Sequence, residues 1–412
     1  MKLRPTFFIA AATTAIAIVA CSDSNDTALP GELPDSGGGT TMPEAGASAD
    51  AEADPVDAAA DAADATKGDA GVRECSDDGF CHTVLPPGET LRGVWGDGQG
   101  IVWAVSETGR ILRWDGNAWS IHTSTPDNAF YAIWGSGPTD IWVSGATGLM
   151  HGTGDSSAAI VFSVVDAPGD STLTLKSIWG TGPNDVWAVG GDQNLNGPSP
   201  WPARGRVVHY TGPDPDGGSG WTLDNEDPVA FRTVWGTPNS GVWMQGAVEA
   251  SAANGGSIKT IIRRRAPGAS GWVEVPMPPG STNSGGPHPR EIFAAAATSD
   301  TSMWLVGRTQ GFVRAYYHGT STDNGQTYSW TLIERVAWDL EVNAFWGTAN
   351  SEWSVGEHGR IRRWDGAKWQ QPAIMVSHVP VTAPFYAAWG TSGDDFWAVG
   401  KGIAVHKTPG KP

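Results

Sequence analysis

The chain has 412 residues with 22 tryptophans, 55 glycines and 29 prolines, yet only 17% of residues are charged and the formal net charge is −18. Short strands joined by Gly/Pro turns fit this composition better than helices do. The charge runs from +2 over residues 1–21 through −13 over 22–78 to −7 over 79–412. An acidic chain without a basic run lacks the clustered Lys and Arg that phosphate neutralisation needs, which excludes a nucleic-acid partner.

Lys2 and Arg4 precede an apolar run from Phe7 to Ala20. The run is too short to span a bilayer comfortably and suits a signal h-region. It ends in Ile18-Val19-Ala20-Cys21, which resembles a bacterial lipobox. The resemblance implies that residues 1–20 are a lipoprotein signal peptide and that Cys21 is lipidated; an ordinary secretory signal with an incidental cysteine is the alternative. Ser22 after that cysteine, in place of Asp, resembles an outer-membrane sorting signal, so an exported outer-membrane lipoprotein is expected. Several acyl chains on one residue anchor stably, because each buried methylene contributes about 0.8 kcal/mol.

Residues 21–73 read as a disordered Ala/Asp-rich tether: like charges recur and no apolar stripe is present. No Asp-x-Asp-x-Asp-Gly loop marks a calcium site there. Cys75 and Cys81 stand where the tether ends, and an even pair in an oxidising compartment predicts a disulfide.

From residue 74 to 412 one unit recurs, with a Trp-Gly pair, a tight turn and a second tryptophan. The second tryptophans are Trp103, Trp142, Trp187, Trp243, Trp304, Trp353 and Trp397; the fifth unit is degenerate, with Ala296 in place of its first tryptophan. Repeats of this size indicate solenoids or propellers. Each unit reads as four strands, the third led by Gly as in Gly109–Trp114 and the fourth opened by a residue such as Trp119 or Trp369. Four short strands in a radial array make a propeller blade. The last unit stops after its third strand (403–407), while 79–96 matches 118–135 in length, with Phe80 in the place of Trp119. The fold expected is therefore an all-β, seven-bladed propeller closed by its N-terminal outer strand, and a monomer. The tryptophans are expected to be core between blades.

The stretch 321–330, with Ser321, Asp323, Gly325, Thr327 and Tyr328 in place, resembles the Asp-box of sialidase-type (BNR) propellers. Similar boxes occur in photosystem assembly factors, sortilin-type receptors and exported lipoproteins. The resemblance implies the fold family and not an activity, since the Asp and Ser of such boxes satisfy their own hairpin. A glycoside hydrolase of sialidase type is the enzymatic alternative. That family needs three arginines, a Tyr–Glu nucleophile pair and an acid/base Asp, and no third arginine or Tyr–Glu pairing stands at matching positions.

Three positions before the first tryptophan of each unit lie Arg92, Tyr131, Lys176, Arg232, Phe293, Asn343 and Tyr386. Gathered at a channel mouth, they would make an anion- or sugar-binding ring; strand-start polar residues bonded to neighbouring loops is the alternative. Segments 190–205, 246–257 and 276–290 lengthen one face of blades three to five, where recognition commonly resides. Trp201 stands there outside the blade pattern and would stack on a partner or cap its own loop. The histidines show no zinc spacing, no phosphate loop or nucleophile elbow is present, and the acidic stretches 182–186 and 391–396 read as turns. No metal or cofactor is expected. The expected role is non-catalytic binding of a protein or glycan of the cell envelope.

Overall fold

The computed structural model describes residues 75–192, 203–249, 258–277, 291–308, 313–337, 339–349, 351–372, 375–376 and 379–408, all within the unit Lys67–Pro412. The expected signal peptide, Cys21, the tether and Trp201 lie outside the described residues. Strands are the only regular elements among those described: seven four-stranded antiparallel sheets and one small hairpin, Met375–Val376 with Val379–Pro380.

Each of the first six sheets takes its strands in chain order. Blade one is Leu91–Gly96, Val102–Ser106, Arg110–Trp114 and Trp119–Ser124. Blade two is Phe130–Gly137, Asp140–Gly145, Gly148–Thr153 and Val161–Val165. Blade three is Leu175–Gly182, Asp185–Asp192, Arg204–Tyr210 and Trp221–Asp227. Blade four is Ala230–Thr237, Gly241–Glu249, Ile258–Arg265 and Val273–Glu274. Blade five is Glu291–Ser299, Ser302–Arg308, Val313–Thr320 and Ser329–Ala337. Blade six is Val342–Thr348, Ser351–Gly356, Ile361–Trp364 and Trp369–Gln370.

Blade seven joins the two ends of the propeller. Its first three strands are Phe385–Ser392, Asp395–Gly400 and Ile403–Lys407, and its fourth is Phe80–His82, paired Phe80 to Lys407 and His82 to Val405. The Thr83 amide extends the seam by donating to the Ala404 carbonyl at 2.9 Å. First strands touch one another in cyclic order, and the first strand of blade seven touches that of blade one. The circle is complete, so no blade is left with an unpaired partner at the seam.

The spacing of the tryptophan pair follows from hairpin register. Trp95–Trp103, Trp134–Trp142, Trp179–Trp187, Trp235–Trp243, Trp346–Trp353 and Trp389–Trp397 are direct cross-strand partners. Residues equidistant from a tight turn face each other, and side chains so placed form the unit of sheet stabilisation. The glycine after the first tryptophan has its own reason. A Cβ on Gly135 would stand 2.7 Å from the Trp95 indole, and one on Gly96 would stand 2.4 Å from that of Trp389. Five of the six first indoles lie in this way on the glycine of the following blade, blade seven on blade one included, whereas Trp235 meets blade five, where Ala297 takes the glycine's place.

The second tryptophans bridge the blades in the same direction. Trp103, Trp142, Trp187, Trp243, Trp304, Trp353 and Trp397 are at most 3% exposed. Each meets, edge-on, an aromatic ring at the start of the next blade's outer strand: Phe162, Trp221, Trp272, Tyr328, Trp369, Phe80 and Trp119, with centroids 4.7–5.9 Å apart. Phe80 does for the seam what Trp119 does for blade one, as their matched positions predict. A buried indole of about 150–250 Å² contributes up to about 4–6 kcal/mol at about 25 cal/mol per Å², most of it offset by chain ordering. The expected disulfide is present between Cys75 and Cys81, at the start of the closing strand.

Candidate functional site

The seven aligned positions share a local geometry that sequence spacing does not show. In every blade the first strand carries a β-bulge there, with pairing skipping from Leu91 to Gly93, Phe130 to Ala132, Leu175 to Ser177, Phe231 to Thr233, Ile292 to Ala294, Val342 to Ala344 and Phe385 to Ala387. The skipped residues are Arg92, Tyr131, Lys176, Arg232, Phe293, Asn343 and Tyr386. A large apolar residue before each bulge is buried, and a small residue follows it. That pattern pins the strand on both sides and leaves the middle side chain free of the ladder, where bulges re-aim side chains.

The structure brings neighbouring members of this ring together. The Arg92 guanidinium lies 4.0 Å over the Tyr386 ring, joining blades one and seven, and bonds Glu107 at 2.5 and 2.8 Å. Arg232 bonds Glu291 at 2.8 Å, and Glu291 also takes Arg308 at 3.1 Å. Phe293 lies 4.4 Å under the Arg314 guanidinium, which reaches Glu341 at 3.7 Å. Burial pushes the Glu341 carboxyl up despite Arg314. Asn343 donates to Glu357 at 3.2 Å and to the Phe385 carbonyl of blade seven at 2.8 Å.

The ring is therefore not a bare cationic patch. Both of its arginines are ion-paired, Arg92 with Glu107 and Arg232 with Glu291, so the rim carries charges of both signs. Lys176 is the exception: no ion pair holds it among the described residues. Burial lowers its pKa, the adjacent Arg232 lowers it further, and Asp192 opposes both. Its side chain is exposed to solvent.

At the other end of the strands a second series appears. The residue opposite each second tryptophan is His151, His209, His318 or His406 in blades two, three, five and seven, and Arg113, Arg264 or Arg363 in blades one, four and six. The histidines stack on the indole at 3.7–4.2 Å. Asp140, Asp185 and Asp395 bond their Nε2 atoms at 2.6–2.7 Å. Two of these aspartates, Asp185 and Asp395, come from the acidic stretches 182–186 and 391–396, and the four histidines share one register position in their blades. Burial pushes the Asp185 carboxyl up, but bonds from His209, Thr181 and Trp187 outweigh it and hold it below the usual range. The arginines lie 5.1–5.9 Å over the indole instead, a cation–π contact.

The Asp-box-like hairpin is internally satisfied. Asp323 accepts from the Ser321 hydroxyl and the Thr327 amide at 2.8 Å each and from the Thr327 hydroxyl at 2.6 Å. The Thr327 bonds, followed by that of Ser321, hold its pKa down at about 2. Arg264 of blade four clamps the hairpin through the Gln326 and Gly325 carbonyls at 2.6 and 2.8 Å. A carboxylate so occupied serves its hairpin, as the motif implies. Among the described residues no cluster of metal-ligating side chains occurs.

No family model and no curated protein matches the chain. Solved structures do. YCF48 bound to a D1 peptide is 16% identical, with a TM-score of 0.55 over 82% of this chain and 99% of that one. YCF48 from Cyanidioschyzon merolae is 14% identical, with a TM-score of 0.54 over 81% and 100% of the two chains. Virginiamycin B lyase from Staphylococcus aureus is 15% identical, with a TM-score of 0.53 over 80% and 98%. At such identities the likeness shows the fold, a seven-bladed β-propeller compatible with a binding or scaffold module, and leaves the activity to this chain's own residues.

Proposed function

We propose that the chain is an exported, lipid-anchored recognition module of the cell envelope, and that the bulged face binds a protein or glycan without turning it over. The observation that carries this reading is the sevenfold bulge: one position per blade is released from the ladder and given a ring of arginine, lysine, tyrosine, phenylalanine and asparagine side chains. Charges of both signs with aromatic faces suit a peptide segment, which presents both signs and apolar side chains. The solved complex of a similar propeller with a peptide supports that choice of ligand. The lipobox resemblance at Cys21 and the Cys75–Cys81 disulfide support export.

Three measurements test it. A photo-crosslinking residue at position 176 in the full chain in cells should give a discrete adduct, and one at position 98, on the opposite face, should not; the reverse pattern would move the site. Labelled palmitate should enter the wild-type chain and not Cys21→Ser; equal labelling would remove the anchor. The module should leave fluorogenic glycosides intact.

A further inference from the structure

The repeat breaks at one junction in two coupled ways. The residue just before the second tryptophan is Val102, Ile141, Val186, Val242, Met303 and Phe396 in six blades, each at most 6% exposed and packed in an apolar cluster. In blade six it is Glu352, 8% exposed. Blade five, which faces it, has Ala296 where six blades carry the first tryptophan. The indole that at five other junctions lies on the next blade's glycine is absent, and the nearest side chain to a Cβ on Gly347 is that of Thr298. The Thr298 hydroxyl donates to Glu352 Oε1 at 2.5 Å, and the Ser302 hydroxyl bonds the same oxygen. His318 completes the chain, its Nε2 2.8 Å from Ser302 Oγ.

Ser302, His318 and Glu352 line a cleft of about 780 Å³ between the blades, together with Arg363, Trp364 and Asp365. A carboxylate at an interblade core position costs several kcal/mol relative to the valine or isoleucine used elsewhere, unless its bonds compensate. A buried ionisable group that lines a cleft marks a candidate binding site. The lining matches one chemistry. Glu352 accepts hydrogen bonds, Arg363 donates them, Asp365 is held by the Ala367 and Lys368 amides and by Gln370, the three charges leave a single net negative charge that disfavours anions, and the half-buried Trp364 offers an apolar face. Neutral sugars present hydroxyls that donate and accept, and C–H faces that pack on indole.

We propose that the cleft between blades five and six binds a neutral mono- or disaccharide, with Glu352 accepting its hydroxyls and Trp364 packing against its ring. The cleft lies at the end of the strands opposite the bulges, so the site is additional to the one proposed above. Saturation-transfer NMR on the full chain, with glucose, N-acetylglucosamine and cellobiose as probes, tests it. Wild type and Val84→Ala, an exposed control, should transfer saturation to at least one of these sugars. Ala296→Trp refills the slot with the residue of the other blades, and Glu352→Gln keeps the shape while removing the charge; each should weaken binding at least tenfold. Transfer to none of the sugars, or undiminished transfer in Ala296→Trp or Glu352→Gln, would overturn the proposal.

Discussion

Gly135 tests the physical basis of the repeat. The backbone there is ordinary for any residue, and the nearest atoms to an added Cβ are three carbons of the Trp95 ring at 2.7, 2.8 and 2.8 Å. Carbon atoms need about 3.5 Å, so Gly135→Ala must push the indole or the blade back by roughly 0.8 Å. Overpacking of that kind costs about 1–3 kcal/mol, and we expect about 2. The same substitution in a Trp95→Ala background removes the obstacle and should cost under about 0.5 kcal/mol. The coupling from the double-mutant cycle is then about 1.5 kcal/mol or more. Gly96→Ala, facing the Trp389 indole at 2.4 Å, should cost at least as much as Gly135→Ala. Urea unfolding followed by tryptophan fluorescence gives all of these values, with an unchanged slope identifying a pure stability effect. Equal costs of Gly135→Ala in the two backgrounds would refute the indole-on-glycine account of the junctions.

Reducing the Cys75–Cys81 bond opens a short loop at the closing strand and should lower unfolding free energy by about 2 kcal/mol; unfolding midpoints with and without reductant measure it, and no change would mean the seam does not share the global transition. Burial lowers the pKa of His318 and His406 from 6.5, against the opposing carboxylates Glu352 and Asp395. The fold therefore favours the neutral rings, and their contribution is fully present above the unfolded pKa of about 6.5 and lost as pH falls through the lower folded value. Midpoints at pH 7.5 and 5.0 should drop with acid in the wild type and drop less in His318→Gln and His406→Gln, whereas a larger drop in either variant would reverse the sign.

The architecture was legible because tryptophan marks it. Trp103, Trp142 and their counterparts align the units, the missing fourth strand of the last unit exposes the role of Phe80, and Arg92 to Tyr386 fall in one column three residues before each first tryptophan. What surrounds that column was not legible. Glu291 reaches Arg232 from the next blade, and the bulges that free the side chains leave no compositional mark. The aromatic partners Phe162, Trp221 and Trp272 sit at variable distances from their anchors, because the loop between third and fourth strands varies in length. His209 and Arg264 declare their shared place only once third-strand register is known. Glu352 stood in plain alignment with Val102 and Phe396. A glutamate in a strand reads as a solvent-facing residue, and the second strands of a propeller have no solvent face.

Hydrogen exchange at the seam tests the closed circle most directly. The Cys81 and Thr83 region pairs with 403–407 and carries Phe80, fully buried against Trp353 and Phe396. Peptides covering residues 79–84 and 403–407 should exchange together, at the slow rate set by global unfolding, and Phe80→Ala should speed both alike. Exchange of 79–84 within seconds while 403–407 stays protected would show an unclosed propeller and contradict the account.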